Sequence, residues 1–139
     1  MLDFSTQCYG SIAMDTRKTQ LVAIVDDDES IRGALYSLLK SYDLEPRAFV
    51  SAEDFLDSAQ VSEIACLITD IRMSGMSGLE LQSRLTEQNC RVPIIFITAH
   101  ADARLRAQAM SAGAIQFLEK PIDDEALIDS IRTAFRNER

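Results

Sequence analysis

The chain contains no tryptophan, and it is also poor in proline, with three residues, and in glycine, with five. This low proline and glycine content excludes collagen-like sequence and the low-complexity composition of a disordered protein. Positive charge is scarce too, since 14 lysines and arginines face 22 acidic residues and leave a formal net charge of -8. Without an excess of positive charge to attract a phosphate backbone, we expect no direct nucleic acid binding by this domain.

Long hydrophobic runs are also absent. Runs such as residues 21–25 and 94–97 fall far short of the roughly 18 apolar residues that a membrane-spanning helix needs. Residues 1–20 lack the charged and then apolar pattern of an export signal. The cysteines, Cys8, Cys66 and Cys90, have no metal-binding spacing, and Cys66 lies within an apolar run. We therefore predict a protein of the reducing cytoplasm that does not contact membranes.

The length and apolar content of the chain are those of one folded domain. Its 139 residues, 47% of them apolar, are enough to bury a single hydrophobic core. Residues 1–19 show no hydrophobic periodicity, and we predict a poorly ordered leader there, with Met14 as an alternative translation start. An ordered N-terminal arm is the alternative interpretation. The folded domain is predicted to span residues 20–139.

Short apolar runs alternate with helical patterns from residue 21 onward, which indicates an α/β protein with a parallel sheet. The predicted strands are residues 21–25, 46–49, 66–69, 94–97 and 115–118. All but the second are continuously apolar, as expected of strands that are covered by helices on both faces. The weaker run at 46–49 is therefore placed at an edge of the sheet.

Helical spacing of apolar residues predicts a helix after each strand. The helical patterns lie after Ser30 and at residues 51–56, 77–88, 101–112 and 123–135. The fourth pattern is rich in alanine, and its large apolar residues are only Leu105 and Met110. This helix is therefore either a segment that shifts between arrangements or an ordinary exposed surface helix.

Four of the predicted strands end in polar residues that would share one edge of the sheet, where open parallel sheets bind ligands. These residues are Asp26, Asp27, Asp28, Asp70, Thr98 and Lys120. Any one of them alone would be interpreted as a solvated loop residue. Crowded carboxylates, however, repel by about 4 kcal/mol per pair at 4 Å and a dielectric near 20. A cation would relieve this repulsion, and an all-oxygen set suits Mg²⁺, which indicates phosphoryl chemistry.

Asp70 is the best candidate for a nucleophile within this set, because it stands alone at a central strand end. An aspartate that attacks phosphorus in line forms an aspartyl phosphate. In that chemistry Asp26 and Asp27 would hold the cation, while the Thr98 hydroxyl and the Lys120 ammonium would contact phosphoryl oxygens.

Four segments carry a resemblance to a known family. They read VDDDESIR at residues 25–32, DIRM at 70–73 with GLEL at 78–81, ITAH at 97–100, and FLEKP at 117–121. In this order they resemble the response-regulator receiver domain of two-component systems, most of all its FixJ-like branch. The resemblance covers about residues 20–136. It implies a flavodoxin-like (βα)₅ fold, with a five-stranded parallel sheet in the order 2-1-3-4-5 and helices on both faces.

The resemblance also implies the roles of the acidic residues. Asp70 is the phosphoacceptor, and the ligands of Mg²⁺ or Mn²⁺ are Asp26, Asp27, Asp70 and the backbone carbonyl of Arg72. Asp28 is implied to be only a neighbour. No further cofactor is implied, and the domain is not an enzyme, because it catalyses only its own phosphorylation and dephosphorylation.

The remaining motif residues are implied to sense the phosphoryl group. Thr98 binds one phosphoryl oxygen, Lys120 pairs with another, and the bond from Lys120 to Pro121 is cis. Thr98 and Phe117 are the implied switch positions. Phe117 has no hydroxyl, so its inward and outward rotamers differ only in packing, and an ordinary core phenylalanine is the alternative interpretation.

A sensor histidine kinase is the implied partner and phosphoryl donor. Phosphorylation would reshape the face formed by the fourth helix, the fifth strand and the fifth helix, which is also the implied homodimer surface. FixJ-like receivers usually precede a helix-turn-helix domain, so the resemblance implies control of transcription through an output domain that does not follow within these 139 residues. The alternative is a stand-alone or phosphorylation-independent interaction module on the same fold.

Two other classes agree less well with the residues. A flavodoxin needs a Ser/Thr-rich loop after its first strand, whereas the three aspartates at 26–28 would repel the phosphate of FMN. An aspartyl phosphatase would turn over external phosphomonoesters, but no cap insertion is evident.

Ser74 departs from the family pattern, which commonly has proline at this position. Because proline restricts its own φ angle and the preceding residue, we expect its loss to loosen the loop after Asp70 and so to alter the order of that loop. His100 lies two residues beyond Thr98, where it either is a solvated loop residue or modulates a hydrolytic water.

Overall fold

One parallel sheet organises the fold in the computed structural model, which describes residues 20–137. Its strands are β1 (Leu21–Val25), β2 (Glu45–Phe49), β3 (Ile64–Asp70), β4 (Ile94–Thr98) and β5 (Gln116–Glu119). They lie in the order β2-β1-β3-β4-β5, and every neighbouring pair is parallel. The predicted flavodoxin-like order is therefore confirmed. The predicted leader, residues 1–19, lies outside the described residues.

A helix follows each strand, as the alternating pattern predicts. The helices are α1 (Glu29–Ser41), α2 (Ala52–Asp57), α3 (Gly78–Glu87), α4 (Ala103–Ser111) and α5 (Asp124–Asn137). A short 3₁₀ turn, Val61–Glu63, leads into β3. Between residues 20 and 137, no helix combines the length and apolar character that crossing a bilayer requires.

The sheet separates two hydrophobic cores, which explains why β1 is apolar at every position. Alternate side chains of a strand point to opposite faces. Leu21, Ala23 and Val25 pack with residues of α2, α3 and α4, whereas Val22 and Ile24 pack with residues of α1 and α5. Helices therefore cover both faces, and ligands can reach the carboxyl ends of the strands only along the edge of the sheet.

Side-chain caps set where three helices begin next to that edge. The Asp28 carboxylate accepts hydrogen bonds from the Ser30 and Ile31 amides at the start of α1. Ser77 and Glu80 form a capping box at the start of α3, and Asp102 caps α4. Such caps satisfy amides that the first helical turn leaves unpaired. Asp28, for which the resemblance implies no role in the site, thus has a structural role as the cap of α1.

Some strand boundaries differ from the prediction. β3 extends from Ile64 to Asp70 instead of covering only 66–69, and β5 covers 116–119 instead of 115–118. The ladder pairs Asp70 with Ile97, and Thr98 with Glu119, so polar residues continue the strands where a neighbouring strand is present. The apolar runs in the sequence do not predict which residues pair across neighbouring strands. The strand at 45–49 is an edge strand, as predicted.

Candidate functional site

The polar residues predicted to converge do meet at one edge of the sheet. Asp26 follows β1, Asp70 ends β3, Thr98 ends β4, and Lys120 follows β5. Because β1, β3, β4 and β5 are parallel neighbours in the sheet, their carboxyl ends lie on the same side. The fold therefore gathers these four side chains from residues that are up to 94 positions apart.

Three carboxylates form the centre of this site. Asp26, Asp27 and Asp70 each offer one oxygen, and these oxygens all lie within 4.8 Å of one another. Asp26 and Asp70 are buried, whereas Asp27 is exposed to solvent. The predicted crowding of acidic side chains is present in the structure, and it combines two desolvated carboxylates with one that faces water.

Lys120 pairs with both buried carboxylates. Its Nζ lies 2.9 Å from Oδ2 of Asp70 and 3.3 Å from Oδ2 of Asp26. The side chain of Asp26 is 0% exposed, that of Asp70 is 10% exposed and that of Lys120 is 15% exposed, so water screens these pairs only weakly. The bond between Lys120 and Pro121 is cis, as predicted.

The ionisation of this group reflects burial and mutual charge. Burial raises the pKa of the Asp26 carboxyl, and the charge of Asp70 acts in the same direction, although the Asp28 amide and Lys120 oppose them. Burial by itself would lower the pKa of Lys120, but the hydrogen bond to Asp70 and the charges of both aspartates outweigh it and raise that pKa. Lys120 is therefore held in its charged form. Ionising the buried Asp26 carboxyl costs free energy, which additional positive charge at the site would offset.

Each of the three carboxylates also accepts one backbone amide. The Asp28 amide donates to Oδ1 of Asp26 over 2.9 Å, and the Arg72 amide donates to Oδ1 of Asp70 over 3.1 Å. The Ser74 amide donates to Oδ2 of Asp27 over 3.0 Å, and this bond spans 47 residues. The first two bonds are local, whereas the third joins the loop after β1 to the loop after β3.

Helix α3 approaches the end of β3 unusually closely. Gly78 is buried at the start of α3, and its amide donates to the carbonyl oxygen of Ile71 over 2.9 Å. A Cβ atom at residue 78 would overlap the carbonyl oxygen of Asp70 and would lie 3.1 Å from the Ile71 Cα atom. Only glycine allows this approach without a backbone shift.

The hydrogen bonds of the Thr98 side chain go to His100 and not to Asp70 or Lys120. The Thr98 hydroxyl accepts a hydrogen bond from the His100 amide over 3.2 Å and donates one to the His100 carbonyl oxygen over 3.4 Å. The connection to Lys120 runs through the backbone, because the Lys120 amide donates to the Thr98 carbonyl oxygen over 2.7 Å. Thr98 is thus placed at the site, but it interacts with the following loop.

Phe117 lies in the core with 4% of its surface exposed. The guanidinium of Arg106, on α4, lies over the Phe117 ring with its carbon 5.8 Å from the ring centroid. Nη1 of Arg106 also donates to the carbonyl oxygen of Phe117 over 3.2 Å. One arginine therefore connects the predicted switch position on β5 to α4, and sequence reasoning did not identify it.

Two further residues were missed because their roles depend on tertiary proximity. Arg32 is half-buried, and its Nη1 donates to the backbone carbonyl oxygen of Asp26 over 2.9 Å. The Ser74 amide is the second, although the sequence had marked position 74 as unusual. The absence of proline removes one restriction on the loop. The Ser74 amide, which proline would lack, adds another, because its hydrogen bond to Asp27 holds the loop in place.

The donor set fits a small divalent cation. Three carboxylates against one lysine leave a formal charge of -2 at the site, since -3 and +1 sum to this value. All three donors are oxygens, which hard cations prefer. Oxygen ligands of one octahedral Mg²⁺ lie about 3 Å apart when adjacent and about 4 Å apart when opposite. Oxygens that lie within 4.8 Å of one another would therefore bind one ion after the side chains close around it.

Similarity to known proteins covers the whole site. A family model described as the response regulator receiver domain matches residues 22–132. The transcriptional regulatory protein TdiR of Thauera aromatica is 42% identical over 122 residues, which are 88% of this chain and 54% of TdiR. The transcriptional regulatory protein FixJ of Azorhizobium caulinodans is 41% identical over 113 residues, 81% of this chain and 54% of FixJ. The chain spans about half the length of these regulators.

The fold is shared with a solved structure of the same kind. The crystal structure of FixJ-N aligns with a TM-score of 0.79 and 36% identity, covering 88% of this chain and 98% of that one. The comparison of backbones therefore confirms the fold, and the identities to FixJ and TdiR confirm the resemblance to the FixJ-like branch.

Proposed function

This chain belongs to the response regulator receiver domain family, and from that membership we propose that Asp70 accepts a phosphoryl group from a sensor histidine kinase. The observation that carries the proposal is the arrangement around Asp70. Its carboxylate lies between the ammonium of Lys120, at 2.9 Å, and the carboxylates of Asp26 and Asp27, on an edge that helices leave open. A nucleophile, a fixed positive charge and a set of cation ligands thus occupy one site.

In the proposed reaction a carboxylate oxygen of Asp70 attacks the phosphorus of the partner's phosphohistidine. The new oxygen–phosphorus bond forms as the phosphorus–nitrogen bond breaks, and the electron pair of that bond returns to the imidazole nitrogen. Lys120 lies close enough to Asp70 to neutralise charge on the transferring group. The domain then catalyses its own phosphorylation and dephosphorylation, without turning over an external substrate.

Mg²⁺ or Mn²⁺ would be held by Asp26, Asp27, Asp70 and the backbone carbonyl of Arg72. When bound, such an ion supplies positive charge for the phosphoryl oxygens and relieves the repulsion among the carboxylates. The Arg72 amide already donates to Asp70, which keeps this part of the backbone beside the nucleophile.

Phosphorylation would act through Thr98 and Phe117. It adds about -1.5 to -2 charges next to a hydroxyl that now interacts with His100. Movement of the Thr98 hydroxyl toward the phosphoryl group would release the following loop and α4, and Phe117 would fill the space. The surface formed by α4, β5 and α5 would change shape, and we propose it as the homodimer surface.

The output is proposed to be control of transcription in the cytoplasm. TdiR and FixJ are named transcriptional regulatory proteins, and this chain corresponds to about half of each. The net charge of -8 does not favour contact with DNA by this domain, so an output region would make that contact.

The test is phosphorylation by a small donor. The chain is incubated with acetyl phosphate and Mg²⁺, and intact mass is expected to rise by about 80 Da, one phosphoryl group. Asp70→Asn should abolish the adduct, because the amide is a poor nucleophile. Asp57→Asn, the same change at an exposed position on α2, should leave it intact. Unmodified mass in the wild-type chain would favour the phosphorylation-independent module, and an adduct retained in Asp70→Asn would place the phosphoacceptor elsewhere.

A further inference from the structure

The exposed member of the carboxylate set is held differently from the other two. Asp26 and Asp70 are buried, pair with Lys120, and accept amides from residues two positions ahead in their own loops. Asp27 is exposed, and the ion pairs of Lys120 are with the other two aspartates. Within residues 20–137, the amide of Ser74 donates the hydrogen bond that the Asp27 carboxylate accepts, over 3.0 Å.

This contact exists because residue 74 is not proline. The donor is the backbone N–H group, which proline lacks. The resemblance implies proline as the common residue at this position, and a chain with proline there could not form this hydrogen bond.

The loop is shaped so that it presents this amide to Asp27. The Met76 amide donates to Oε2 of Glu53, on α2, over 3.0 Å. Gly75, between the two donors, has φ +78°, a conformation that side chains disfavour. Two carboxylates from different elements therefore fix the loop on both sides of Gly75, one of them at the candidate cation site.

We propose that the backbone amide of Ser74 is a positioning group for the cation site, which holds the Asp27 carboxylate beside Asp26 and Asp70 and thereby strengthens divalent-cation binding. The proposal rests on the proposed function, in which these aspartates bind Mg²⁺ or Mn²⁺. An exposed carboxylate without this bond would have to be ordered when the cation binds. Because Oδ2 accepts the amide, Oδ1 of Asp27 is left without a hydrogen bond from the described chain and is available to a cation.

The test compares two substitutions at position 74. Ser74→Pro removes the amide hydrogen, whereas Ser74→Ala removes the hydroxyl and keeps the amide. Mn²⁺ binding to the full chain is measured by electron paramagnetic resonance of the free ion, without any phosphodonor. Loss of an outer hydrogen bond to a metal ligand typically weakens binding by about 10- to 100-fold. We expect at least about a 10-fold weaker affinity for Ser74→Pro and an affinity within about 2-fold of wild type for Ser74→Ala.

A second measurement does not depend on the folding of the proline variant. Hydrogen exchange of the Ser74 amide, followed by NMR without divalent cation, should be slower in the wild-type chain than in Asp27→Ala, because the substitution removes the acceptor. Equal exchange in the two proteins would overturn the proposal. A fast-exchanging Ser74 amide in the wild type would do so as well.

The outcomes separate this proposal from the proposed function. Wild-type affinity in both Ser74 variants overturns the positioning role and leaves the cation site standing. Loss of affinity in both variants also overturns it, because the hydroxyl or the general structure of the loop would then be responsible. Absence of Mn²⁺ binding to the wild-type chain overturns the cation site itself, and the positioning role with it.

Discussion

Replacing Lys120 by methionine should destabilise the chain strongly when no divalent cation is present. At 2.9 and 3.3 Å from the two carboxylates, the gross attraction is about 5 kcal/mol per pair at an effective dielectric of about 20. Desolvation of the ammonium cancels much of this gain, and removing one partner of a buried pair typically costs about 3–5 kcal/mol. Because the Lys120 side chain retains 15% exposure, we expect a loss of about 3 kcal/mol in the free energy of unfolding.

The loss should depend on pH in a direction that the structure determines. The pKa of Asp26 is already raised by burial, and removal of Lys120 takes away positive charge that opposes this rise. A raised carboxyl pKa means that the folded state binds the proton more tightly than the unfolded state does. Protonation of Asp26 therefore stabilises the folded state near and below the carboxyl pKa of the unfolded chain, about 3.9. This stabilisation is lost as pH rises through the pKa of the folded state. The deficit of Lys120→Met should be largest at pH 7 and should shrink toward pH 4.

Urea unfolding at pH 7 and at pH 5 measures both effects. Lys40→Met, on the exposed last turn of α1, is the matched control and should change the free energy of unfolding by less than about 1 kcal/mol. Mg²⁺ should restore part of the stability of Lys120→Met, since it would neutralise the same carboxylates. Equal unfolding midpoints for the two variants at pH 7 would refute the reasoning, as would a deficit that grows toward acid.

Three further substitutions are informative, two at contacts between elements and one, Gly33→Ala, as a control. Gly78→Ala should destabilise the chain by about 1–3 kcal/mol, because carbon atoms at 3.1 Å must separate to about 3.5–4.0 Å. Gly33→Ala has nothing within 4 Å of its new Cβ atom and should stabilise α1 by up to about 1 kcal/mol. Melting temperatures that shift in the same direction for Gly78→Ala and Gly33→Ala would contradict this. Arg106→Met should cost under about 1 kcal/mol and broaden the Phe117 ring signals in NMR spectra, whereas unchanged spectra would count against the Arg106 contact.

The sequence was sufficient to predict which side chains meet at the sheet edge. The reason is geometric, since parallel strands place their carboxyl ends together, and Asp26, Asp70, Thr98 and Lys120 each stand at such an end. The helices were equally predictable, because apolar spacing and caps such as Ser77 and Glu80 are local signals. The strand pattern and the motif order together predicted the fold.

Contacts between distant segments were not predictable in the same way. The donor to Asp27 is a backbone amide 47 residues away, and an amide is present at every residue except proline. The requirement for glycine at residue 78 arises from the proximity of Asp70, which no periodicity describes. The position of Arg106 over Phe117 depends on how α4 packs on β5, which apolar spacing does not specify. Sequence patterns predict elements and their ends, whereas these details depend on the distances between elements.

The packing of α4 suggests which part of that helix can respond to the site. Its one fully buried residue is Ala109, near its C-terminal end, where Nε2 of buried Gln82 donates to the Ala109 carbonyl oxygen over 3.2 Å. Its N-terminal half contributes only the partly buried Leu105 and the contact of Arg106 with Phe117. Fewer buried contacts mean a lower free energy for local opening. Displacement of the loop after Thr98 would therefore move the first turns of α4 while the end at Ala109 stays anchored on α3.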